Sequence, residues 1–334
     1  MSGFKSIRSR WFLGIGMSAA IGVAFLQTLG FSGNYALAQR IRSSPPSLDY
    51  KKATSDLQTD IKSLKLKRLF AQGFEKLLRG DYQGSVEDYN QVLSIESNYA
   101  EAHFNRGVAH QSLGNYQEAV KDFKQGIASL TQLLSTNDEK AFKYNNRGFG
   151  RVLLGDYKGA IEDFNLAIKV DPSNYTFYLN RASVRTKLGD YKGALEDLDR
   201  DLRNAPNLWK YGYYVLRGIV NFGIGDHNRA IEDFTQSITL MPSTTQFTSE
   251  AYVARGMIYL KKEDKQRADK DFNQALTILP NLAQAYYNKG LFYKERGVKQ
   301  EAVDNLQKAA ALFSAQEKTL EYQKVQNHIK ELQL

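Results

Sequence analysis

The first residues to consider as catalysts or metal ligands are the histidines. The chain contains four histidines and no cysteine. His103 and His110 are predicted to share one helix, where a separation of seven residues places them about 10 Å apart along the axis. A single metal ion, which is held at about 2 Å from each ligand, cannot bind both. Both histidines occupy positions where the pattern described below carries aromatic rings, so we interpret them as packing residues.

No other arrangement typical of an active site occurs in the sequence. It contains no HExxH motif, no glycine-rich phosphate loop and no recognisable Ser–His–Asp arrangement. Without cysteine there is no thiol nucleophile and no disulfide framework. The sequence therefore predicts that the protein is not an enzyme and that it holds no cofactor and no metal.

Two sets of charged residues recur at intervals of 34 to 41 residues. The cations are Arg106, Arg147, Arg181, Arg217, Arg255 and Lys289. The acids are Asp88, Asp122, Asp163, Asp197, Asp233 and Asp271. A row of cations could bind an anionic ligand, but the first interval lacks the cation and the last lacks the acid. Pairing each acid with the cation of the next interval leaves no charge over. This predicts six structural ion pairs between repeats: Asp88–Arg106, Asp122–Arg147, Asp163–Arg181, Asp197–Arg217, Asp233–Arg255 and Asp271–Lys289.

These charges belong to a longer pattern that must position them. Each interval contains a turn residue, and nine residues beyond it a large apolar residue. The turn residues are Gly80, Gly114, Gly155, Gly189, Gly225, Glu263 and Gly297. The large apolar residues are Tyr89, Phe123, Phe164, Leu198, Phe234, Phe272 and Leu306. Glycine closes a helix readily because it tolerates the left-handed conformation. The pattern thus predicts seven pairs of helices, each with a ring or branched side chain filling the space between its two members.

The pattern resembles the tetratricopeptide repeat (TPR) family, whose unit of about 34 residues is a helix–turn–helix. The units are 66–99, 100–133, 141–174, 175–208, 211–244, 249–282 and 283–316. The resemblance covers about three quarters of the chain. It implies an all-α fold, an α-solenoid of about seven units wound into a right-handed superhelix. Residues 317–334, with apolar Val325 and Ile329 at helical spacing, are predicted to form a C-terminal capping helix.

In this family the first helices of the units line a concave groove that binds partners. Transferred to this chain, the resemblance implies a groove lined by Phe70, Phe74, Phe104, Gln111, Phe142, Asn145, Phe149, Leu179, Lys187, Phe222, Met257, Lys261, Tyr287 and Lys294. The many apolar and aromatic members indicate an extended or helical apolar protein segment as the partner. In the alternative interpretation, tight winding hides many of these side chains against neighbouring repeats.

Two other kinds of partner are not expected. The chaperone carboxylate clamp of this family needs a Lys/Asn pair on the repeat before an asparagine. That pair would fall on Phe70/Phe74, Phe104/Val108 or Asn145/Phe149. None of these provides both a lysine and an asparagine. Loss of Lys5, Arg8 and Arg10 by cleavage after Ala38 would reduce the net charge from +9 to +6, which is too modest to indicate nucleic-acid binding.

The amino-terminal residues 1–38 are predicted to be a signal peptide. Lys5, Arg8 and Arg10 precede an uncharged stretch from Trp11 to Leu29, and Ala36-Leu37-Ala38 fits a cleavage site. The alternative is an uncleaved membrane anchor, which would bring the protein close to a membrane. Residues 39–65 are predicted to be a linker whose second part forms a capping helix before the first repeat.

We therefore expect a non-enzymatic, exported scaffold or adaptor that binds a partner protein in its groove. The repeats resemble those of TPR proteins from bacteria with photosynthetic membranes. This likeness implies a location in the periplasm or thylakoid lumen and a role in assembling an envelope or photosynthetic-membrane complex. The alternative function is a periplasmic ligand or metal carrier, which would need a carboxylate and histidine cluster brought together by folding.

Overall fold

The computed structural model describes residues 50–135, 140–203, 205, 207–241, 246–315 and 319–333. Within these ranges the chain forms fifteen helices and no strand. The helices are α1 (Tyr50–Arg79), α2 (Tyr82–Ile95), α3 (Ala100–Ser112), α4 (Tyr116–Leu133), α5 (Lys140–Leu153), α6 (Tyr157–Val170), α7 (Tyr175–Leu188), α8 (Tyr191–Leu202), α9 (Asn207–Ile224), α10 (His227–Leu240), α11 (Gln246–Lys261), α12 (Lys265–Ile278), α13 (Ala283–Glu295), α14 (Lys299–Ala315) and α15 (Thr319–Gln333). The predicted all-α fold is confirmed, whereas the predicted signal peptide lies outside the described residues.

The described helices fall into two compact units. The amino-terminal unit contains α1 to α7, and the carboxy-terminal unit contains α8 to α15. In each unit the first helix of a repeat packs against its own second helix, as α5 does against α6 and α11 does against α12. Each second helix also packs against the first helix of the following repeat, as α6 does against α7 and α12 against α13. Stacking of this kind buries the apolar faces that two short helices cannot bury alone.

The turn between the two helices of each repeat has the predicted backbone conformation. All six predicted glycines have positive φ, and Glu263 at the sixth turn has a φ of 61°. The residue directly after the turn caps the start of the second helix in most repeats. Asp156, for example, accepts a hydrogen bond from the main-chain nitrogen of Gly159 at 3.0 Å, which satisfies one of the free N–H groups at the start of α6.

The predicted large apolar residues form the centre of each helix pair. Tyr89, Phe123, Phe164, Phe234 and Phe272 are all buried. The rings lie close to the first helix because the facing residue there is small. A Cβ atom added to Gly107 would lie 2.4 Å from the Phe123 ring, which is closer than atoms approach. Gly107, which directly follows the recurring Arg106, is thus needed for packing.

The two ends of the array are helical. α1 runs without interruption from Tyr50 to Arg79, so no break separates a capping helix from the first repeat at residue 65. α15 buries Val325 and Ile329 against Leu306 and Phe313 of α14 and Ala283 of α13. The predicted C-terminal capping helix is therefore confirmed. No helix in the described part of the chain combines the length and apolar character needed to cross a bilayer.

Candidate partner-binding faces

Four of the five recurring arginines pair with the aspartate of their own repeat, sixteen residues further on. Each of them donates to both oxygens of that carboxylate: Arg106 to Asp122, Arg147 to Asp163, Arg217 to Asp233 and Arg255 to Asp271. The nitrogen–oxygen distances are between 2.5 and 3.2 Å. The predicted pairing of these arginines with the aspartate of the preceding repeat is therefore wrong.

The same guanidinium groups do reach the preceding repeat, but through another residue. The Nη1 atom of Arg106 donates to Asn90 at 2.7 Å, that of Arg181 donates to Asn165 at 2.6 Å, and that of Arg217 donates to Asp199 at 2.7 Å. Each acceptor stands two residues after the recurring aspartate. The arginine row therefore links neighbouring repeats through these three acceptors and not through the predicted aspartates. Since its donors are used within the protein, we do not regard this row as an anion-binding site.

The partners of the first aspartate and of the last cation explain why pairing acids and cations by number predicted the wrong ion pairs. Asp88 of the first repeat pairs with Lys76 of α1 at 2.8 Å, a cation outside the recurring position. Lys289 of the last repeat donates to the amide oxygen of Asn273 at 2.5 Å and needs no carboxylate. A cation of α1 thus pairs with the first aspartate, and a neutral amide accepts from the last cation. The number of aspartates in one repeat therefore need not match the number of cations in the next.

A buried polar cluster surrounds Asp122 in the second repeat. His103 lies 3.4 Å from Asp122 and 2.9 Å from the main-chain oxygen of Ser97, and His110 lies 3.9 Å from Asp122. Burial alone would raise the pKa of Asp122, but hydrogen bonds with His103 and Arg106 lower it below its usual value. His103 and His110 are thus both close to one carboxylate, which the helical spacing alone did not indicate.

Five of the predicted groove residues belong to the core. They are Phe70, Phe104, Asn145, Phe149 and Leu179, all buried. Phe104, with 1% of its surface exposed, lies against Gly126 of α4 and Gly150 of α5, where an added Cβ would come within 2.5 Å of the ring. These five residues are not available to a partner. For them the alternative interpretation, that packing between repeats hides the side chains, is correct.

Asn145 is part of a polar network that links three first helices. Asn180 of α7 donates to Asn145 of α5 at 2.7 Å, Asn145 donates to Asn146 at 3.2 Å, and Asn146 donates to Glu101 of α3 at 2.9 Å. Sequence analysis missed this network. The signal that could have indicated it is the asparagine that directly precedes the recurring arginine, as Asn146 and Asn180 do.

Other predicted groove residues in the amino-terminal unit remain accessible. We define the amino-terminal face as Phe74, Gln111, Phe142 and Lys187. Phe142 is 38% exposed, although its ring also contacts the buried Phe177 ring edge-on at 5.6 Å between centroids. The Lys187 ammonium lies 4.7 Å from the centre of the Tyr157 ring. The face therefore offers apolar rings held by the core beside exposed polar and charged groups.

A comparable face lies in the carboxy-terminal unit. We define it as Phe222, Met257 and Lys261. Phe222 and Met257 are half-buried and pack against the core of repeats five and six, and the Lys261 ammonium lies 5.0 Å from the centre of the Phe222 ring. His227 stacks on Phe222 at 5.3 Å. Burial, followed by the charges of Lys261 and Lys262, lowers the pKa of His227.

The last two predicted groove residues contact the terminal helix of the chain. The Tyr287 ring lies 5.9 Å from the His328 ring, and Lys294 binds His328 at 3.2 Å and also binds Glu331. Both partners are on α15. Tyr287 and Lys294 therefore do not line an open groove as predicted, because α15 contacts both side chains.

Within the described ranges, no group of three or more His, Asp or Glu side chains lies close enough together to hold a metal ion. Four of the recurring aspartates are instead engaged by arginines, and the buried Asn145 and Asn180 are bonded to each other. The arrangement of these polar groups serves to order helices.

Models of known protein families match the repeats of this chain. Family models described as tetratricopeptide repeat match residues 100–129, 152–208, 249–282 and 283–315, and one described as TPR repeat matches 75–114. None of the curated proteins compared with the chain matches it significantly.

Several solved structures are similar to this chain. A tetratricopeptide repeat protein from Parabacteroides merdae is 19% identical, with a TM-score of 0.52, covering 78% of this chain and 98% of its own. The APC/C hetero-tetramer Cut9–Hcn1 is 15% identical, with a TM-score of 0.56, covering 82% of this chain and 52% of its own. MamA is 25% identical, with a TM-score of 0.44, covering 51% of this chain and 96% of its own.

Proposed function

Because the chain belongs to the tetratricopeptide repeat family, we propose that it is a non-enzymatic scaffold that binds an apolar segment of a partner protein. The binding surfaces are the amino-terminal face and the carboxy-terminal face, both formed by first helices. Members of this family typically act by holding other proteins, and their stacked helices provide extended surfaces for doing so. The repeat architecture supports the class of function, and the accessible side chains support the choice of surface.

The observation that carries the proposal is the exposure of Phe142. The rings of Phe70 and Phe104 on other first helices, and of Phe149 on the same helix, are buried, whereas Phe142 leaves 38% of its surface in water. Burying apolar surface on binding contributes roughly 25 cal/mol per Å². A ring already fixed by the core, here by the Phe177 contact, loses little conformational freedom when a partner covers it.

The charged members of the two faces favour a particular kind of segment. Lys187 and Lys261 each lie beside an aromatic ring and carry an exposed ammonium group. A partner segment with apolar side chains and a nearby carboxylate would fit both properties. Such a segment could be extended or helical, since either form presents side chains at regular spacing to a groove.

The proposal includes a location outside the cytoplasm, in the periplasm or thylakoid lumen, and a role in assembling an envelope or photosynthetic-membrane complex. It rests on the basic residues Lys5, Arg8 and Arg10, the uncharged stretch and the Ala36-Leu37-Ala38 sequence. Mass spectrometry of the protein from its own cells tests this part. A chain that starts at Gln39 supports export with cleavage, and an intact chain in the membrane fraction supports export with an anchor. An intact chain in the cytosol contradicts the proposed location.

Affinity purification with matched variants tests the binding surface. Full-length tagged protein, Phe142→Ala, Phe222→Ala and the control Leu166→Ala are incubated with a membrane and envelope extract of the same cells. Leu166 lies on the second helix α6 and has the same 38% exposure as Phe142. We expect the retained partner to fall about fivefold or more for the two phenylalanine variants, as for residues at the centre of an interface, and to stay unchanged for Leu166→Ala. Equal retention by all variants would contradict the proposal.

A further inference from the structure

One side of α1, the first helix of the first repeat, is exposed from residue 61 to residue 78. Six residues on this side follow one another at alternating spacings of three and four, and all six are exposed. They are Ile61, Leu64, Arg68, Ala71, Glu75 and Leu78, which we call the α1 stripe. Because an α-helix has 3.6 residues per turn, this spacing forms a continuous seam about 26 Å long.

The α1 stripe lies away from the core side of the helix. Phe70 and Leu77 are on the core side and are buried. The aliphatic members Ile61, Leu64 and Leu78 leave between 56% and 62% of their surface in water. They are thus more exposed than Phe142, and they repeat at the spacing that packs one helix against another.

In a repeat that follows another repeat, the corresponding side of the first helix is covered. Leu153 of α5 occupies the place of Leu78 and packs against the core cluster of the preceding repeat, which contains Phe104. Gly150 occupies the place of Glu75, and a Cβ added there would come within 2.5 Å of the Phe104 ring. No repeat precedes α1 in the described part of the chain. Since Glu75 does not permit stacking as close as that at Gly150, the α1 stripe suits a different neighbour.

The two charged members of the α1 stripe have opposite signs. Among the described residues, Arg68 has no carboxylate partner. Glu75 pairs with Arg79 at 2.6 Å, one turn further along the same helix, and both side chains are largely exposed. An exposed pair of this kind contributes little to stability. Arg68 and Glu75 are therefore both open to a further partner of opposite charge.

These charges determine which orientation suits two copies of α1 side by side. In a parallel pair, Arg68 would lie against Arg68 and Glu75 against Glu75, and contacts between like charges oppose association. In an antiparallel pair, Arg68 of each copy lies near Glu75 of the other. The flanking cations Lys65 and Lys67 are in the amino-terminal half of the stripe, so this orientation also separates them from their counterparts. The charge pattern thus complements itself when the helices run in opposite directions.

We propose that the α1 stripe binds the α1 stripe of a second copy of this chain, antiparallel and about a twofold axis near Ala71. Such an interface is isologous, so each contact occurs twice. It places Ile61 and Leu64 of each copy beside Leu78 of the other, while the small Ala71 allows close approach at the centre. The seam is short, so we expect a dimer with a Kd on the order of 10 μM. This inference does not rest on the proposed function, because Phe74 of the amino-terminal face packs elsewhere, beside the cluster that contains Leu77.

Cysteine cross-linking tests the geometry at single residues, because the chain has no cysteine of its own. Full-length Ala71→Cys and the control Ser63→Cys are oxidised at equal concentration in a mild non-ionic detergent. Ser63 is exposed on α1 but lies outside the α1 stripe. We expect at least tenfold more disulfide-linked dimer for Ala71→Cys. Equal yields at the two positions would contradict the proposal.

A mixture of two variants tests the orientation. Leu64→Cys and Leu78→Cys, one of them carrying a tag that changes its size, are oxidised together and separately. We expect at least fivefold more cross-linking between the two variants than within either one. More cross-linking within the variants than between them would indicate parallel helices and overturn the proposal.

Reversal of the two charges is the decisive test. Glu75→Arg and Arg68→Glu each place like charges together and should weaken dimerisation at least tenfold in sedimentation equilibrium, whereas the double variant should restore it to within about twofold. Glu87→Arg, an exposed change on α2, is the control and should dimerise as the wild type does. If Glu75→Arg does not fold, Arg68→Glu and the double variant still make the comparison. Single variants without effect, or a double variant that stays monomeric, would overturn the proposal. A monomeric wild type, with the stripe covered by another segment of the chain or by another protein, would also overturn it.

Discussion

Arg147 donates two hydrogen bonds to Asp163 of its own repeat, from Nε at 3.0 Å and from Nη2 at 2.6 Å. Arg151 of the same helix reaches the second oxygen of this carboxylate at 3.1 Å. Asp163 is fully buried and therefore depends on these two cations to compensate its charge. The pair fixes the first helix of a repeat against the second, and this arrangement recurs in repeats of both units.

Removal of this carboxylate should destabilise the protein. We expect Asp163→Ala to lower the free energy of unfolding by about 2–3 kcal/mol, because charge-assisted hydrogen bonds are lost and two partly buried arginines remain. Asn165→Ala removes only an exposed bond to Arg181, so we expect a change below about 1 kcal/mol. Urea unfolding of both variants measures the difference. An equal loss of unfolding free energy in the two variants would show that the Arg147–Asp163 pair stabilises the protein no more than the exposed bond does.

Two equivalent aspartates should respond to pH in opposite directions. The pKa of Asp122 is lowered, so its stabilisation is present above the unfolded pKa of about 4 and is lost as the pH falls through the folded pKa. We expect the stability advantage of the wild type over Asp122→Asn to shrink between pH 5 and pH 2.5. Urea unfolding at several pH values in this range measures it.

Asp233 is the matched case for this measurement. Burial raises its pKa, and hydrogen bonds from Arg217 and Asn221 only partly offset this effect. Its contribution to stability is fully present below the unfolded pKa and is lost as the pH rises through the folded pKa. The wild type should therefore lose stability relative to Asp233→Asn as the pH rises. The same pH dependence for both variants would contradict the assigned environments.

The tight contact between Phe104 and Gly126 should make a methyl group costly. Gly126→Ala places a Cβ about 2.5 Å from the Phe104 ring and should destabilise the protein by roughly 1–3 kcal/mol, because the core cannot absorb the added volume. Phe104→Leu removes the ring and should reduce the cost of Gly126→Ala. Thermal unfolding of the two single variants and the double variant measures the coupling. Strict additivity would indicate that the ring does not meet this methyl group.

The sixth turn offers a stabilising substitution. Glu263 adopts a φ of 61°, a left-handed conformation that costs a residue other than glycine roughly 1–2 kcal/mol. We expect Glu263→Gly to raise the free energy of unfolding by about 1 kcal/mol. Glu263→Ala removes the same side chain but keeps the strain, so it should not stabilise the protein. A gain for alanine equal to that for glycine would attribute the effect to the glutamate side chain.

The repeat pattern correctly predicted the features that depend on local backbone conformation and on residue spacing within one helix pair. The turn glycines and the large residues nine positions later, such as Gly155 and Phe164, have the predicted φ and burial. These features follow from the geometry of one helix pair, which the sequence repeats seven times. The fold class could therefore be predicted from the sequence alone.

Features that depend on contacts between repeats were harder to predict. Helical spacing placed Phe104, Phe142 and Phe149 on first-helix faces, but it could not show that only Phe142 stays exposed. The partners of the arginines were missed because asparagine oxygens serve as acceptors beside carboxylates, as Asn165 does for Arg181. Contacts made by α15 with Tyr287 and Lys294 depend on where the terminal helix docks, which spacing does not determine.

Site-specific photo-cross-linking in the protein's own cells tests the central claim most directly. A photoreactive phenylalanine analogue is placed at Phe142 or Phe222, and at Leu166 or Leu240 as exposed second-helix controls. We predict that both first-helix positions form cross-links to a partner protein and that both controls give a small fraction of that yield. Cross-links of equal or greater yield from Leu166 and Leu240 would contradict the assignment of the first-helix faces as the binding surface.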